Sequence, residues 1–112
     1  MEKKERFFIS AAIADSMLDK VAQLRKTFEV SYTDLEELRG LDLISNIKNL
    51  AIIGSLREQG INVDPCSDDF KFILEPGDTL YVLNPNGKVK ELEGKDRLPE
   101  HMTITVKKYT IL

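Results

Sequence analysis

The chain has 112 residues and a mass of 12.7 kDa, which is enough for one domain of ordinary size. Hydrophobic residues make up 42% of the sequence and charged residues 31%, a balance that predicts a folded globule and not a disordered chain. The net charge is −3, with acidic residues interspersed among the basic ones. Nucleic-acid binders need a basic excess or a basic stripe to neutralise phosphates, so we expect no nucleic-acid partner.

The beginning of the sequence carries no export or membrane signal that we recognise. The apolar stretch Phe7–Ala14 is far shorter than the roughly 20 residues of a membrane-spanning helix, and no small-residue cleavage site follows it. The chain has a single cysteine, Cys66, and therefore cannot form an intramolecular disulfide. We expect a reducing compartment and a cytoplasmic location.

The first predicted element is an amphipathic helix that begins at Ser10, a residue type that favours the N-cap position. Apolar residues recur after it at helical spacing: Ile13, Met17, Val21, Leu24 and Phe28. A stripe of this breadth has to be covered. It either packs on the chain's own sheet or forms the interface with a second copy, and the second interpretation predicts a homodimer.

The segment after this helix combines a strand with short helical pieces. Residues 28–32 alternate in polarity and predict a strand. Thr33 and Glu36 have the spacing of a capping box and predict a helix that ends at Gly40, where a left-handed conformation is common. One or two further helical turns are predicted over residues 41–47.

The second half of the sequence predicts short strands separated by turns. Residues 75–78, Glu-Pro-Gly-Asp, have the signature of a type II turn. The predicted strands are 50–53, 61–63, 70–74, 79–83, 88–92 and 102–106, the last one as a half-exposed edge strand. The predicted fold class is therefore α+β, with an N-terminal amphipathic helix, a small antiparallel sheet and one or two short helices.

Residues that could support catalysis or metal binding are sparse. The one histidine, His101, has no cysteine or second histidine near it in sequence. Cys66 lacks a Cys-x-x-Cys partner, and the spacing of Asp64, Asp68 and Asp69 fits no EF-hand loop. The glycines form neither a G-x-G-x-x-G pattern nor a P-loop. We therefore predict a protein that is not an enzyme and holds no metal.

One part of the chain, residues 40–83, resembles a known family. It contains Gly40-Leu-Asp-Leu-Ile, then Asn49-Leu-Ala-Ile-Ile-Gly-Ser-Leu-Arg57, then Asp64-Pro65, and ends in Leu74-Glu-Pro-Gly-Asp-Thr-Leu-Tyr-Val-Leu83. The family pattern is a Gly-x-x-Leu opening, an apolar strand that ends in Arg, an Asn/Asp-Pro and a Leu-x-x-Gly-Asp-x-Leu-x-Val finish. These residues are similar to the C-terminal RCK domain, also called TrkA-C, of potassium channels and transporters.

The resemblance implies a cytoplasmic regulatory domain that senses a ligand and gates a potassium or other cation channel or transporter. It implies two parts: residues 1–32 as the dimerisation helix with a linking strand, and residues 33–112 as the regulatory domain. Some members of the family bind a small effector such as cyclic di-AMP in a groove between two copies. The positions that match the groove strand, with a possible anion contact at the end, are Asn49, Leu50, Ile52, Ile53 and Arg57.

Two other functions stay open at this point. The apolar stripe also fits a dimerisation or protein-interaction module that binds no ligand. In that alternative the groove residues are core residues and Arg57 is solvated. A small enzyme or a carbohydrate-binding β-domain has only the Gly77-Asp78 turn in its favour.

Overall fold

A computed structural model of the chain describes residues 5–11, 22–23, 27–64, 66, 71–87, 89–95 and 97–112. Within these residues the fold has seven strands, one α-helix and two short 3-10 helices. The strands are β1 (Phe7–Ala11), β2 (Ala22–Gln23), β3 (Phe28–Thr33), β4 (Leu43–Ser45), β5 (Phe72–Ile73), β6 (Thr79–Pro85) and β7 (Ile104–Ile111). The helix α1 is Leu50–Glu58, and the 3-10 helices are Leu35–Leu38 and Val89–Leu92.

The main sheet has five strands in the order β3-β7-β6-β1-β4. β1 is parallel to both of its neighbours, β4 and β6, whereas β7 is antiparallel to β3 and β6. Four of the five strands therefore run in one direction, with β7 as the exception. As a result, β1, β3, β4 and β6 all end at the same edge of the sheet.

Each face of the sheet has its own hydrophobic core. On one face α1 and its flanking loops cover residues such as Ile9, Tyr81 and Leu83. On the opposite face Phe8 and other sheet residues pack against the small parallel pair formed by β2 and β5. Phe72 of β5 meets Phe8 there with ring centroids 4.8 Å apart. Because successive side chains of a strand point to opposite faces, β1 and β6 contribute to both cores.

The sequence 49–60 forms a capped helix, which corrects the prediction of a strand over residues 50–53. The Asn49 side chain accepts hydrogen bonds from the amides of Ala51 (2.9 Å) and Ile52 (3.2 Å), as an N-cap residue does. Gly60 follows the helix with a φ of 83°. A four-residue apolar run fits a buried strand and a buried helical turn equally well, and here the N-cap decides between them.

Three predictions about this architecture are confirmed. The fold class is α+β. The predicted strands over 28–32 and 79–83 are β3 and β6, each slightly longer than predicted. The turn over 75–78 is present, because the Asp78 amide donates to the Glu75 carbonyl at 3.0 Å and Gly77 has a φ of 96°.

The N-terminal helix is wrong where the structure describes it. Ser10 lies in β1 and is buried, so it does not cap a helix. Residues 22–23 form β2, and Phe28 begins β3. The physical reason is that Phe7–Ala11 is a short apolar run suited to the centre of a sheet, where it pairs on both sides. Residues 12–21 and 24–26, which carry Ile13, Met17, Val21 and Leu24, lie outside the described residues.

Several shorter predictions are also corrected. The capping box produces only a 3-10 turn, preceded by Asp34 without a side-chain cap bond. Residues 43–45 form β4 and not a helix. Ile61 and Val63 are buried but belong to no strand, and the predicted strand over 88–92 contains a 3-10 helix. The predicted strand over 70–74 is reduced to β5 in the described part of that segment.

The position of the last strand and the type of sheet also differ from expectation. β7 is not an edge strand, because β3 and β6 pair with it on either side. The sheet is mixed and not antiparallel, because β1 is parallel to β4 and β6. The predicted boundary between residues 32 and 33 falls inside β3, and strands from both predicted parts share one sheet. Among the helices that the structure describes, none is long and apolar enough to cross a bilayer.

Candidate functional site

Polar side chains form a row across the sheet where the parallel strands end, on the face opposite α1. The strand register places this polar row, because Ser10 lies opposite Val82, Val82 opposite Lys107, and Lys107 opposite Tyr32. Asn84 and Thr105 are two further members. They pair with each other two residues beyond the Val82–Lys107 pair, toward the end of β6. The polar row is defined here as Ser10, Tyr32, Asn46, Asn84, Thr105 and Lys107.

The inner end of the polar row is a hydrogen-bonded pair at the ends of β1 and β4. The Ser10 hydroxyl donates to Oδ1 of Asn46 at 2.6 Å. The backbone supports this contact, because the Asn46 amide bonds to the Ile9 carbonyl at 3.4 Å. Ser10 is buried and Asn46 is half-buried. A buried hydroxyl with a fixed partner gives this end of the row a defined geometry.

The outer end of the polar row carries its one formal charge. Nζ of Lys107 lies 5.9 Å from the centre of the Tyr32 ring, which is within the range of a cation–π contact. Lys107 is half-buried, and Tyr32 is 69% exposed. The row therefore runs from a buried hydroxyl at β1 to an exposed phenol at β3.

The chemistry of the polar row suits a small anion with hydrogen-bonding groups. It combines hydroxyl and amide groups with one ammonium group and contains no carboxylate; the Ser10 proton is already donated to Asn46, which leaves the amide groups, the other hydroxyls and Lys107 as donors. Open sheets with parallel strands commonly bind ligands beyond the carboxyl ends of those strands, which is where the row lies. Neighbouring strands are about 4.8 Å apart, so a row across five strands extends over roughly 19 Å.

Three cavities among the described residues include carboxylates in their lining. A cavity of about 650 Å³ beside β4 includes Asp42 and Asp64. A cavity of about 580 Å³ at the end of β3 includes Asp34 and Glu36 beside two members of the polar row, Tyr32 and Thr105. The third, of about 480 Å³, sets Lys95 and Arg97 beside Glu58 and Glu100. The six members of the polar row themselves include no carboxylate.

The residues predicted to form a ligand groove all lie on α1 or at its N-cap, and they do not share one surface. Ile52 and Ile53 are buried in the core, while Leu50 is 61% exposed. Arg57 is exposed and contacts Asp64 at 3.4 Å. Asn49 is occupied by capping. Of the predicted dimer residues, Phe28 is described and lies on the exposed face of β3.

A second polar cluster lies on the face that α1 covers. The Tyr81 hydroxyl donates to Oε2 of Glu37 at 2.8 Å, and Nζ of Lys108 lies 3.1 Å from the same oxygen. The hydrogen bond from Tyr81 lowers the pKa of Glu37 against the opposing effect of burial, and Lys108 lowers it further. Burial and the neighbouring carboxylate raise the pKa of Tyr81 well above its ordinary value of 10.0. This cluster connects the 3-10 helix at 35–38 to the sheet.

A third cluster lies at the opposite end of the sheet, where β1 and β6 begin. The Asp78 carboxylate is buried and accepts hydrogen bonds from the Arg6 guanidinium, with 2.9 Å to its Nε, and from the Glu75 amide at 2.7 Å. The hydrogen bond to Asp78 raises the pKa of Arg6. These contacts fix the turn before β6, so they are structural in character.

The residues weighed for catalysis and metal binding are dispersed. His101 is exposed, with Nε2 3.5 Å from a carboxylate oxygen of Glu91. Cys66 is half-buried, and its amide bonds to the Ile47 carbonyl at 2.9 Å. In the part of the chain that the structure describes, no three His, Cys, Asp or Glu side chains form a group that could hold a metal ion.

The polar row is not predicted by the sequence. The strict alternation at residues 102–106 places Thr103 and Thr105 on one side of a strand, which is the one local signal for it. Ser10 has the local features of a helix N-cap, and the row depends on pairing between strands far apart in sequence. No local pattern connects its members.

Comparisons with known proteins identify a similar fold. No protein-family model matches the sequence, and no curated protein matches it. Among solved structures, B116 of Sulfolobus turreted icosahedral virus matches over 94% of this chain and 98% of that chain, with a TM-score of 0.57. The two sequences are 20% identical. At this identity the likeness establishes a shared fold and carries no functional assignment.

Proposed function

We propose that this protein is a non-enzymatic regulatory domain that senses a small anionic ligand at the polar row. The observation that carries the proposal is a row of hydroxyl and amide side chains with one lysine and no carboxylate, where three parallel strands end. The half-buried Lys107 supplies the charge, and the Ser10–Asn46 pair supplies fixed polar groups. Such a site binds an anion through charge and directed hydrogen bonds.

The regulated partner in this proposal is a potassium or other cation channel or transporter, and the domain acts in the cytoplasm as a homodimer. Support comes from the sequence resemblance of residues 40–83 to the C-terminal RCK domain. The segment that matches the family's groove strand is the helix α1 here, so the proposed ligand site is the polar row instead. A ligand regulates a partner only through its difference in affinity between two states.

Isothermal titration calorimetry of the full chain tests the ligand. The probes are cyclic di-AMP, ATP, AMP and inorganic phosphate. We expect heat of binding for at least one phosphate-containing probe and a loss of about tenfold or more in affinity for Lys107→Met, because a charge-assisted hydrogen bond contributes about 1.5–3 kcal/mol.

The matched control is Lys90→Met, which removes the same charge from an exposed residue of the second 3-10 helix. It should bind the probe as the unmodified chain does. Flat traces for all four probes, or an equal loss for both variants, would reject an anion site at the polar row.

An interaction module without a ligand is the second candidate function. A specific observation favours it, because β3 exposes three large apolar side chains at an edge of the sheet: Phe28, Val30 and Tyr32. In this case the domain would bind a partner protein and not a small molecule. Flat calorimetric traces together with self-association would favour it over the sensor.

A further inference from the structure

The outer edge of β3 lacks the features that keep edge strands from pairing. Its only hydrogen-bonded neighbour among the described strands is β7. Natural edge strands commonly carry lysine, proline, a bulge or very short length. β3 has six residues in continuous register with β7, and Glu29 is its only charged residue. The strand therefore presents an intact ladder of backbone groups.

One face of β3 is apolar and exposed. Phe28 is 37% exposed, Val30 49% and Tyr32 69%, and these alternate residues point to the same side of the sheet. The Phe28 ring lies 5.7 Å from the ring of Tyr109 on β7, so the apolar face continues into the core of the sheet. An exposed apolar strip beside an unprotected edge indicates a surface that is covered by another chain.

The hydrogen-bond pattern shows which backbone groups face outward. The Thr27 carbonyl accepts from the Leu112 amide at 3.1 Å, so residue 27 directs its backbone groups toward β7. The direction of the backbone amide and carbonyl groups alternates from residue to residue along an antiparallel strand. Those of Glu29 and Ser31 therefore point toward β7 as well. The amides and carbonyls of Phe28, Val30 and Tyr32 consequently point away from the sheet.

We propose that β3 pairs antiparallel with β3 of a second copy of this chain, with Val30 on the two-fold axis. In this register Val30 lies opposite Val30 of the partner subunit, and Phe28 lies opposite Tyr32 of the partner subunit. Each facing pair exchanges backbone hydrogen bonds through the outward groups. The two main sheets then join into one continuous sheet across the dimer.

The residues of β3 are self-complementary, which favours a second copy as the occupant. In the two-fold register each exposed apolar side chain of β3, namely Phe28, Val30 or Tyr32, meets another of the three. The same register sets Glu29 opposite Ser31 of the partner subunit, so no like charges meet. Lys108, the β7 residue opposite Ser31, contacts Glu37 of its own chain at 3.1 Å.

The interface supplies a structural basis for the homodimer of the proposed function. It rests on the proposed function only through that homodimer. It does not depend on the ligand, and the polar row can fail its calorimetric test while the interface stands. Tyr32 belongs to both the polar row and the apolar face, so pairing would order one end of the row.

Light scattering with the full chain at tens of micromolar tests the interface. We expect a mass of twice 12.7 kDa for the unmodified protein. Val30→Lys sets two lysines directly opposite each other and should yield the monomer. The matched control Ile44→Lys places the same charge on an exposed apolar residue of β4, at the other edge of the sheet, and should remain a dimer. An equimolar mixture of Val30→Lys and Val30→Glu should restore the dimeric mass.

Two results would overturn the proposal. A monomeric unmodified chain excludes any dimer, and a dimeric Val30→Lys variant moves the interface away from β3. Hydrogen exchange on the unmodified protein keeps the test valid even if a variant does not fold. We expect concentration-dependent protection of the Phe28, Val30 and Tyr32 amides, whereas Glu29 and Ser31 should be protected at every concentration. Rapid exchange of the first three at high concentration would also contradict the pairing.

Discussion

At the scale of single residues, Tyr81 shows how the interior of this protein tolerates polar groups. Its ring is buried among apolar side chains on the face that α1 covers, and its hydroxyl reaches Glu37. A buried hydroxyl that finds an acceptor avoids the cost of about 1–3 kcal/mol for an unsatisfied group. Lys108 contacts the same carboxylate and balances its charge.

Replacing Tyr81 by Phe should lower the free energy of unfolding by about 1.5–3 kcal/mol near pH 7, because one hydrogen bond to a carboxylate is lost. The pKa of Tyr81 is higher in the folded protein than its unfolded-state value of 10.0. The hydroxyl therefore makes its full contribution to the free energy of unfolding below pH 10, and this contribution is lost as the pH rises further. The difference between the two proteins should therefore shrink above pH 10. Urea denaturation at several pH values measures this.

The control for this prediction is Tyr32→Phe, which alters an exposed phenol. It should change stability by less than about 0.5 kcal/mol at every pH. A difference for Tyr81→Phe that persisted unchanged into alkaline solution would contradict the hydrogen-bonding account.

At the scale of elements, α1 depends on its N-cap. Asn49→Ala should destabilise the protein by about 1 kcal/mol, because the amides of Ala51 and Ile52 lose their acceptor. Asn49→Asp should retain most of the stability, since aspartate is an equally good cap and favours a helix N-terminus. Thermal or urea unfolding measures both. An exposed asparagine, Asn62, provides the control as Asn62→Ala.

This substitution also distinguishes two roles for Asn49. If the residue acts only as a cap, Asn49→Asp should bind the anionic probes as the unmodified chain does. Equal stability of Asn49→Ala and the unmodified protein would show that the cap contributes nothing and would reopen a ligand role for this residue.

Local chemistry explains which elements could be predicted from the sequence. The alternation in β3 and the Pro76-Gly77 turn before β6 are local signals, and both are confirmed. The run at residues 50–53 is equally compatible with strand and helix, and the Asn49 cap selects the helix. In β1 the local pattern favours the start of a helix, although its residues occupy an inner strand of the sheet.

At the scale of the whole molecule, sheet order lies beyond local signals. Phe7 pairs with Leu43 on one side and with Thr79 on the other, so β1 joins segments that are far apart in sequence. No local pattern in the sequence specifies those pairings. The polar row is a direct product of this topology, since its members come from five different strands or strand ends. The candidate site could therefore not be predicted from the sequence.

The central claim is that an anionic ligand binds at the polar row. Two-dimensional NMR of the isotopically labelled chain, titrated in turn with cyclic di-AMP, ATP, AMP and inorganic phosphate, tests it most directly. The account predicts that at least one probe gives its largest changes in amide shifts at Ser10, Asn46, Thr105 and Lys107, and that Lys107→Met lowers the affinity read from these changes about tenfold or more. Unchanged spectra at millimolar concentrations of all four probes, or changes confined to the cavity beside Asp42 and Asp64, would contradict it.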